Sequence, residues 1–186
     1  MTRKVLVLFA HPAYRRSRIN RALIDAVSGL EDVTIHDLYE TYPDFAIDTD
    51  HEQALLLEHQ VVVAQHPLFW YSCPAILKEW QDLVLEHGWA YGRHGRQLEG
   101  KLWLQSVTAG GRDTAYREDG FNKWTVEELL RPFEATANLC HMVWQKPFVV
   151  HATHVAGDAE AAAAAAAYRA RILALRDGSP VRAVAS

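Results

Sequence analysis

Short apolar runs alternate along this chain with segments whose apolar residues recur every three or four positions. The runs, at 5–10, 61–65, 101–108 and 148–151, together with an alternating stretch at 33–38, predict strands. Helical spacing predicts helices over 18–30, 52–58, 74–87, 124–140, with an interruption at Pro132, and 159–176. Because most strands are apolar at every position, we expect a parallel sheet with both faces covered.

Strands and helices in this order predict a flavodoxin-like, doubly wound α/β fold with a five-stranded parallel sheet. The chain has 186 residues, of which 49% are hydrophobic, and this suits one domain with a sizeable core. We therefore interpret 1–186 as a single domain, with 176–186 as a flexible tail. The alanine run at 161–167 is interpreted as part of the last helix, since alanine is the best helix former.

Composition narrows the function classes. A net charge of -4 provides no basic field for nucleic acid, so nucleic-acid binding is not expected. Two cysteines, Cys73 and Cys140, are too few to staple a chain of this size, which favours a reducing compartment and a cytoplasmic location. No apolar stretch has membrane-spanning length, although the protein could still lie at the inner membrane by docking on a membrane protein.

Three segments follow predicted strands and are expected to meet at the carboxyl edge of the sheet, where open α/β folds bind ligands. The first, His11 to Asn20, offers an imidazole, a hydroxyl, an amide and guanidinium groups ahead of a helix N-terminus, which favours an anion. Neither a P-loop nor a G-x-G-x-x-G motif is present. An alternative stays open at this point, with Ser17 as an N-cap, Asn20 exposed and the arginines solvated.

The other two segments suggest a flat ligand. Phe69, Trp70 and Tyr71 lie between two prolines and either roof the core or form a wall for a planar ring. The pair Gly110 and Gly111 lets the backbone approach a ligand closely with its N–H groups. A phosphate pocket, an aromatic wall and amide donors on adjacent loops together indicate a flavin site.

The motifs HPxxxxSxxN at 11–20, QHPLFWYSCPAILKEWQDLVLEHGWAYG at 65–92 and TAGG at 108–111 carry a family resemblance. From about residue 5 to 151, the chain resembles the NAD(P)H quinone oxidoreductase family of flavodoxin-like flavoproteins. The stretches HDLYETYPDFAID, EQALLLEH and LRPFEATANLC are most similar to the bacterial ancillary proteins of glutathione-regulated potassium-efflux systems.

The resemblance implies a bound flavin that passes hydride from a nicotinamide to a quinone-like acceptor. It assigns the phosphate to His11, Ser17, Arg18, Ile19 and Asn20, the ring to Leu68, Phe69, Trp70 and Tyr71, and the polar edge to Thr108, Ala109, Gly110 and Gly111. Tyr116 takes the place of a tyrosine that assists charge redistribution. With Gly110 and Gly111 it forms the predicted catalytic group.

The chain departs from the family pattern at Asn122, where the family has a histidine, and an amide cannot take up a proton as imidazole does near neutral pH. Asn122 and Tyr91 are predicted to line the substrate pocket, with Tyr91 reaching the pocket of a partner subunit in a homodimer, while Trp89 packs in the core. No metal is expected, because His66 and His87 lack ligands at metal spacing and are interpreted as solvated or capping residues.

The function predicted from these features is a two-electron NAD(P)H:quinone oxidoreductase. FMN is expected because the longer C-terminal region of the FAD-binding members is missing, with FAD as the alternative and either NADPH or NADH as donor. A flavin-containing regulatory subunit of a potassium-efflux antiporter is the second hypothesis. A one-electron carrier is disfavoured by the aromatic wall, and a serine hydrolase by the lack of a G-x-S-x-G elbow.

Overall fold

A computed structural model describes residues 2–178, which form one parallel sheet with helices on both faces. The strands are β1 (Val5–Phe9), β2 (Val33–Asp37), β3 (Val61–Pro67), β4 (Leu102–Thr108), β5 (Val143–Trp144) and β6 (Phe148–Val150). The helices are α1 (Arg18–Val27), α2 (Leu38–Thr41), α3 (Thr49–Glu58), α4 (Ala75–Val84), α5 (Val126–Leu129), α6 (Arg131–Leu139) and α7 (Asp158–Asp177). Short 3-10 helices span Tyr14–Arg16 and Asp113–Ala115.

The strand order is β2-β1-β3-β4-β5, with β6 also pairing with β4, and every pairing is parallel. β5 lies beside the start of β4 at Leu102 and Trp103, whereas β6 lies beside its end at Ser106 to Thr108. The predicted flavodoxin-like order is therefore confirmed, and the fifth strand position is shared by two short segments. A strand of two residues has no periodicity by which β5 could have been predicted.

Successive residues of each strand point to opposite faces of the sheet and pack in two separate hydrophobic cores. Val5, Val7 and Phe9 of β1 pack with α1 and α7 on one face of the sheet. Leu6 and Leu8 point to the other face, where α3 and α4 supply Leu56, Ile76 and Trp80 among others. Helices cover both faces, which is why the strands are mostly apolar.

Element ends differ from the predicted bounds for local reasons. α1 ends at Val27 rather than Leu30, since Gly29 adopts a left-handed φ of 72° two residues later. Asp37 ends β2 and caps α2 by accepting from two backbone N–H groups, so Leu38 is helical rather than extended. The helix predicted over 124–140 breaks at Leu130 into α5 and α6, with Pro132 in the first turn of α6, where its missing N–H costs nothing.

The C-terminal end of the described chain is helical where a tail was predicted. Arg176 and Asp177 are the last residues of α7, and Gly178 caps it in a left-handed conformation with φ 70°. The remainder of the predicted tail, 179–186, lies outside the described residues. Within residues 2–178, no helix is both long enough and apolar enough to cross a membrane.

Candidate functional site at the carboxyl edge of the sheet

Two adjoining clefts open at the carboxyl ends of the strands. The larger has a volume of about 560 Å³ and lies over the first loop, and the smaller, of about 270 Å³, lies over the aromatic and glycine loops. Leu68, Gly110 and His154 line both, which makes the two clefts one continuous site. The three loops predicted to be neighbours are therefore brought together, with Trp70 and Gly110 on the wall of the same cleft.

The first loop forms a cradle at the start of α1. Ser17 caps the helix, its side chain accepting from the backbone N–H of Asn20 at 3.2 Å. The N–H groups of Arg18 and Ile19, at the helix N-terminus, precede any intrahelical acceptor, so they are available to an anion. Ser17 is thus both an N-cap and part of the larger cleft.

Asn20 is buried, which contradicts the alternative that it is an exposed helix residue. Only 2% of it is accessible, and its amide NH₂ donates to Ser17 Oγ at 3.1 Å and to Thr108 Oγ1 at 3.0 Å. Its Oδ1 has no hydrogen-bond partner among the described residues. A buried acceptor without a donor is unfavourable in the protein alone, and a hydroxyl-bearing ligand in the larger cleft would satisfy it.

His11 and Arg18 stand at the two sides of this cradle. His11 Nδ1 accepts from the backbone N–H of Ala13 at 3.1 Å, and burial lowers the pKa of His11, which favours the neutral imidazole. The Arg18 guanidinium donates to the Ala156 carbonyl at 2.7 Å and lies 3.7 Å from Asp158, so it joins the first loop to the segment after β6. Both residues line the larger cleft.

The aromatic loop is a tight turn in an unfavourable backbone conformation. Trp70 and Tyr71 both have left-handed φ angles, of 48° and 63°, and the turn closes with Ser72 N–H donating to the Phe69 carbonyl at 2.9 Å. Bulky residues rarely adopt such angles, and consecutive ones store strain that the surroundings must outweigh. The turn holds Trp70 outward with 93% of its surface exposed. The aromatic residues therefore do not roof the core but form an open wall.

Tyr71 and Asn122 meet across the smaller cleft. The Tyr71 hydroxyl donates to Asn122 Oδ1 at 3.1 Å, and the Asn122 backbone N–H donates to the Ala115 carbonyl at 2.8 Å. Asn122 thus lines the smaller cleft, where its Oδ1 is engaged by a phenol.

The two glycines lie close to neighbouring side chains. A Cβ on Gly110 would lie 2.3 Å from Nε2 of His154, and one on Gly111 would lie 3.1 Å from the Tyr116 ring. Leu68 N–H donates to the Thr108 carbonyl at 2.8 Å, which holds the aromatic loop beside the glycine loop. The backbone of the glycine pair therefore lines the clefts where a side chain would fill them.

Tyr116 is kept protonated at the smaller cleft. Burial raises the pKa of Tyr116, and the neighbouring Tyr71 adds to the effect. The ring of His151 lies 5.5 Å from that of Tyr116, centroid to centroid, and Nδ1 of His151 has no partner in the described part of the chain. Burial lowers the pKa of His151, although Asp113 and Glu127 oppose this. The phenol can donate a hydrogen bond near neutral pH.

A fourth loop, after β6, completes the site and was missed from the sequence. Thr153, His154 and Ala156 all line the larger cleft. The backbone of this loop is hydrogen-bonded to the glycine loop. Ala152 N–H donates to the Gly111 carbonyl at 2.8 Å, and Thr153 N–H donates to the Ala109 carbonyl at 3.2 Å. The available signal was position alone, since this loop also follows the carboxyl end of a parallel strand.

Three other predicted residues lie apart from the clefts. Tyr91 lines neither cleft and packs partly against the core, its ring 5.4 Å from that of His87, and Trp89 packs against the same core as predicted. His66 is fully buried rather than solvated, which corrects its interpretation. Burial lowers the pKa of His66, whose Nε2 can donate to Gln105 Oε1 at 2.7 Å and whose Nδ1 lies 3.0 Å from the Pro67 carbonyl.

The fold and the site together define a class of protein. A family profile described as a flavodoxin-like fold matches residues 3–174, and the chain belongs to this family. The glutathione-regulated potassium-efflux system ancillary protein KefG of Serratia proteamaculans is 54% identical over 148 residues, which cover 80% of this chain and 81% of that protein. A KefG of Yersinia enterocolitica is 53% identical over the same length.

A solved structure with a bound flavin is similar along almost the whole chain. General stress protein 14 of Treponema denticola, in complex with FMN, superposes with a TM-score of 0.89 at 40% identity, over 92% of this chain and 99% of that one. The NADPH-quinone reductase of P. pentosaceus superposes with a TM-score of 0.83 at 32% identity, over 90% and 96% of the two chains.

Proposed function

We propose that this protein is a flavin-dependent NAD(P)H:quinone oxidoreductase. The observation that carries the proposal is the continuity of the two clefts, which joins an anion cradle at a helix N-terminus to an aromatic wall and a glycine-lined backbone. The FMN complex of a relative with 40% identity supports the same ligand class.

The residues present suit the phosphate and sugar-alcohol part of a flavin. Ser17, Arg18, Ile19 and Asn20 would hold the phosphate through the free backbone N–H groups of Arg18 and Ile19 and the Arg18 guanidinium, with His11 beside them. The Oδ1 of Asn20, which has no partner among the described residues, would accept from a hydroxyl of the ligand. FMN is the proposed cofactor and FAD the alternative.

The space between the aromatic and glycine loops would hold the ring. Leu68, Phe69, Trp70 and Tyr71 would line it, while Thr108, Ala109, Gly110 and Gly111 would present backbone groups to its polar side. When bound, the flavin supplies the two-electron chemistry of hydride transfer. Gly110 and Gly111 N–H groups and the protonated Tyr116 phenol stabilise negative charge at that polar side.

Substrates approach over the open aromatic wall. The exposed Trp70 offers a stacking surface for a nicotinamide and then for a quinone, so one pocket serves donor and acceptor in turn. Asn122 and Tyr71 border this pocket. The donor is NADPH or NADH, and the protein works in the cytoplasm as a homodimer in which Tyr91, remote from its own clefts, reaches the partner's pocket.

The test begins with the purified protein. Heat release of its cofactor and mass measurement should return FMN, and anaerobic addition of NADPH or NADH should bleach the flavin absorbance, which menadione then restores. Steady-state rates should show ping-pong kinetics. A protein that binds no flavin, or a bound flavin that neither nicotinamide reduces, contradicts the proposal.

A second candidate function is a regulatory subunit of a potassium-efflux antiporter, with the same flavin site. The 54% identity to a KefG over most of both chains favours it. Potassium efflux from vesicles holding the antiporter should increase when this protein is added. An antiporter whose flux is unchanged by the flavin-loaded protein excludes this role and leaves the oxidoreductase proposal standing.

A further inference from the structure

His154 occupies the junction of the two clefts. It is one of three residues that line both, and its Nε2 lies so near Gly110 that a Cβ there would be 2.3 Å away. Gly110 belongs to the backbone assigned to the polar side of the ring. An imidazole therefore stands where negative charge develops during hydride transfer.

The loop around His154 is fixed from both sides. Ala156 N–H donates to the Ala152 carbonyl at 3.1 Å and closes a turn over this histidine. The glycine loop holds one flank through Thr153 N–H and the Ala109 carbonyl at 3.2 Å, and Arg18 holds the other through the Ala156 carbonyl at 2.7 Å. The backbone around His154 is thus held by the same loops that form the clefts.

The reaction needs a group that exchanges a proton at this place. Conversion of NAD(P)H, a quinone and one proton to NAD(P)⁺ and a quinol consumes a proton from solvent for every hydride passed. Imidazole exchanges protons near neutral pH, whereas the Asn122 amide does not. Tyr116, with its raised pKa, retains its proton in that range.

Two other histidines are nearby and fit this role less well. His151 lines neither cleft, and its burial disfavours the charged form. His11 lines only the larger cleft, and its Nδ1 is occupied by the Ala13 N–H. His154 alone among the three reaches both clefts.

Charged and titratable groups face His154 from several elements. The first loop and α1 contribute His11, Arg16 and Arg18 to the larger cleft, and the aromatic and glycine loops contribute Tyr71 and Tyr116 to the smaller one.

We propose that His154 supplies the exchangeable proton and positive charge at the polar side of the flavin, in place of the histidine that the family has at position 122. The inference rests on the proposed oxidoreductase function. Hydride carries two electrons and one proton from the nicotinamide toward the quinone. The second proton comes from the His154 imidazole, which is protonated again by water.

The experiment compares five flavin-loaded proteins from pH 6 to pH 8: wild type, H154N, H151N, the double variant N122H/H154N and H141N. His141 is a matched control, because it lies before β5, at the opposite edge of the sheet. The measurements are the quinone-reductase rate, the midpoint potential of the bound flavin and the flavin dissociation constant.

H154N should lower the rate at pH 7 by about a hundredfold. It should also remove the decline in rate with rising pH and shift the midpoint potential to more negative values, because a positive charge beside the ring favours its reduction. N122H should restore much of the rate and its pH dependence in the H154N background, and H141N should match wild type.

An unchanged rate, pH profile and potential in H154N would overturn the inference. So would loss of flavin binding in H154N that N122H does not restore, since His154 would then only retain the cofactor. The same changes in H151N instead of H154N would assign the role to His151. A wild-type protein that binds no flavin, by contrast, contradicts the proposed function before any variant is compared.

Discussion

Two regions of this molecule differ in whether their buried polar groups have hydrogen-bond partners. Glu52, on α3, is fully buried, and its carboxylate accepts from Tyr42 at 2.6 Å, from His36 at 2.7 Å and from the Trp80 indole at 2.7 Å. The clefts, by contrast, contain an unpartnered Asn20 Oδ1 and a strained turn at Trp70. The first arrangement contributes to stability, and the second leaves binding capacity for a ligand.

The sharpest test removes the centre of the Glu52 cluster. E52A leaves two buried donors, Tyr42 and Trp80, and the partly buried His36 without their acceptor, and we expect the free energy of unfolding to fall by about 3–5 kcal/mol. Urea denaturation measures this, with E58A, an exposed change at the end of the same helix, as control. The folded fraction of E52A should bind flavin with wild-type affinity. A stable E52A protein, or a folded one without flavin affinity, would remove the distinction between the two regions.

Acid should weaken the Glu52 cluster selectively. Burial alone would raise the pKa of Glu52, but the hydrogen bonds from His36, Tyr42 and Trp80 outweigh it and the pKa is lowered. A carboxyl with a lowered folded-state pKa stabilises the fold above its unfolded value, about 4.3, and this contribution is lost as pH falls below that. Unfolding free energies from pH 7 to pH 3 should therefore decline less steeply for E52Q than for wild type. Parallel declines would show that Glu52 does not titrate with folding.

At the larger cleft, we expect a substitution to reduce flavin affinity more than stability. N20A removes the amide that bonds Ser17 and Thr108, and we expect about 1 kcal/mol of lost stability in the flavin-free protein. Flavin affinity should fall more, by about tenfold to a hundredfold, because a ligand hydroxyl loses its buried acceptor. Fluorescence titration of FMN measures the affinity, with the exposed N138A as control. Equal losses of stability and affinity would make Asn20 an ordinary structural residue.

The fold and the place of the site follow from sequence because both depend on pattern. Alternating apolar runs and helical spacing imply the sheet, and the polar and aromatic residues at strand ends mark its carboxyl edge. The backbone conformation of the aromatic loop could not be predicted from the sequence, since nothing in the side chains of Trp70 and Tyr71 favours a left-handed φ. His154 was missed for a different reason, because a single histidine in a loop becomes informative only when its distance to Gly110 is known.

The smallest effect concerns the strained turn itself. Trp70 is 93% exposed and packs little against the rest of the protein. Its φ of 48° is unfavourable for tryptophan, whereas glycine adopts it at little cost, so W70G should relieve backbone strain. We expect the flavin-free protein to gain about 1 kcal/mol of stability, while FMN affinity and the Michaelis constant for menadione become less favourable. H141G is the matched control, because His141 has a φ of 59° at the opposite edge of the sheet and should gain similar stability without any change in flavin affinity. A W70G protein that loses stability would mean that the exposed indole supports the fold. The aromatic loop would then be stabilised by Trp70 rather than strained there, and its contrast with the stabilising Glu52 cluster would no longer hold.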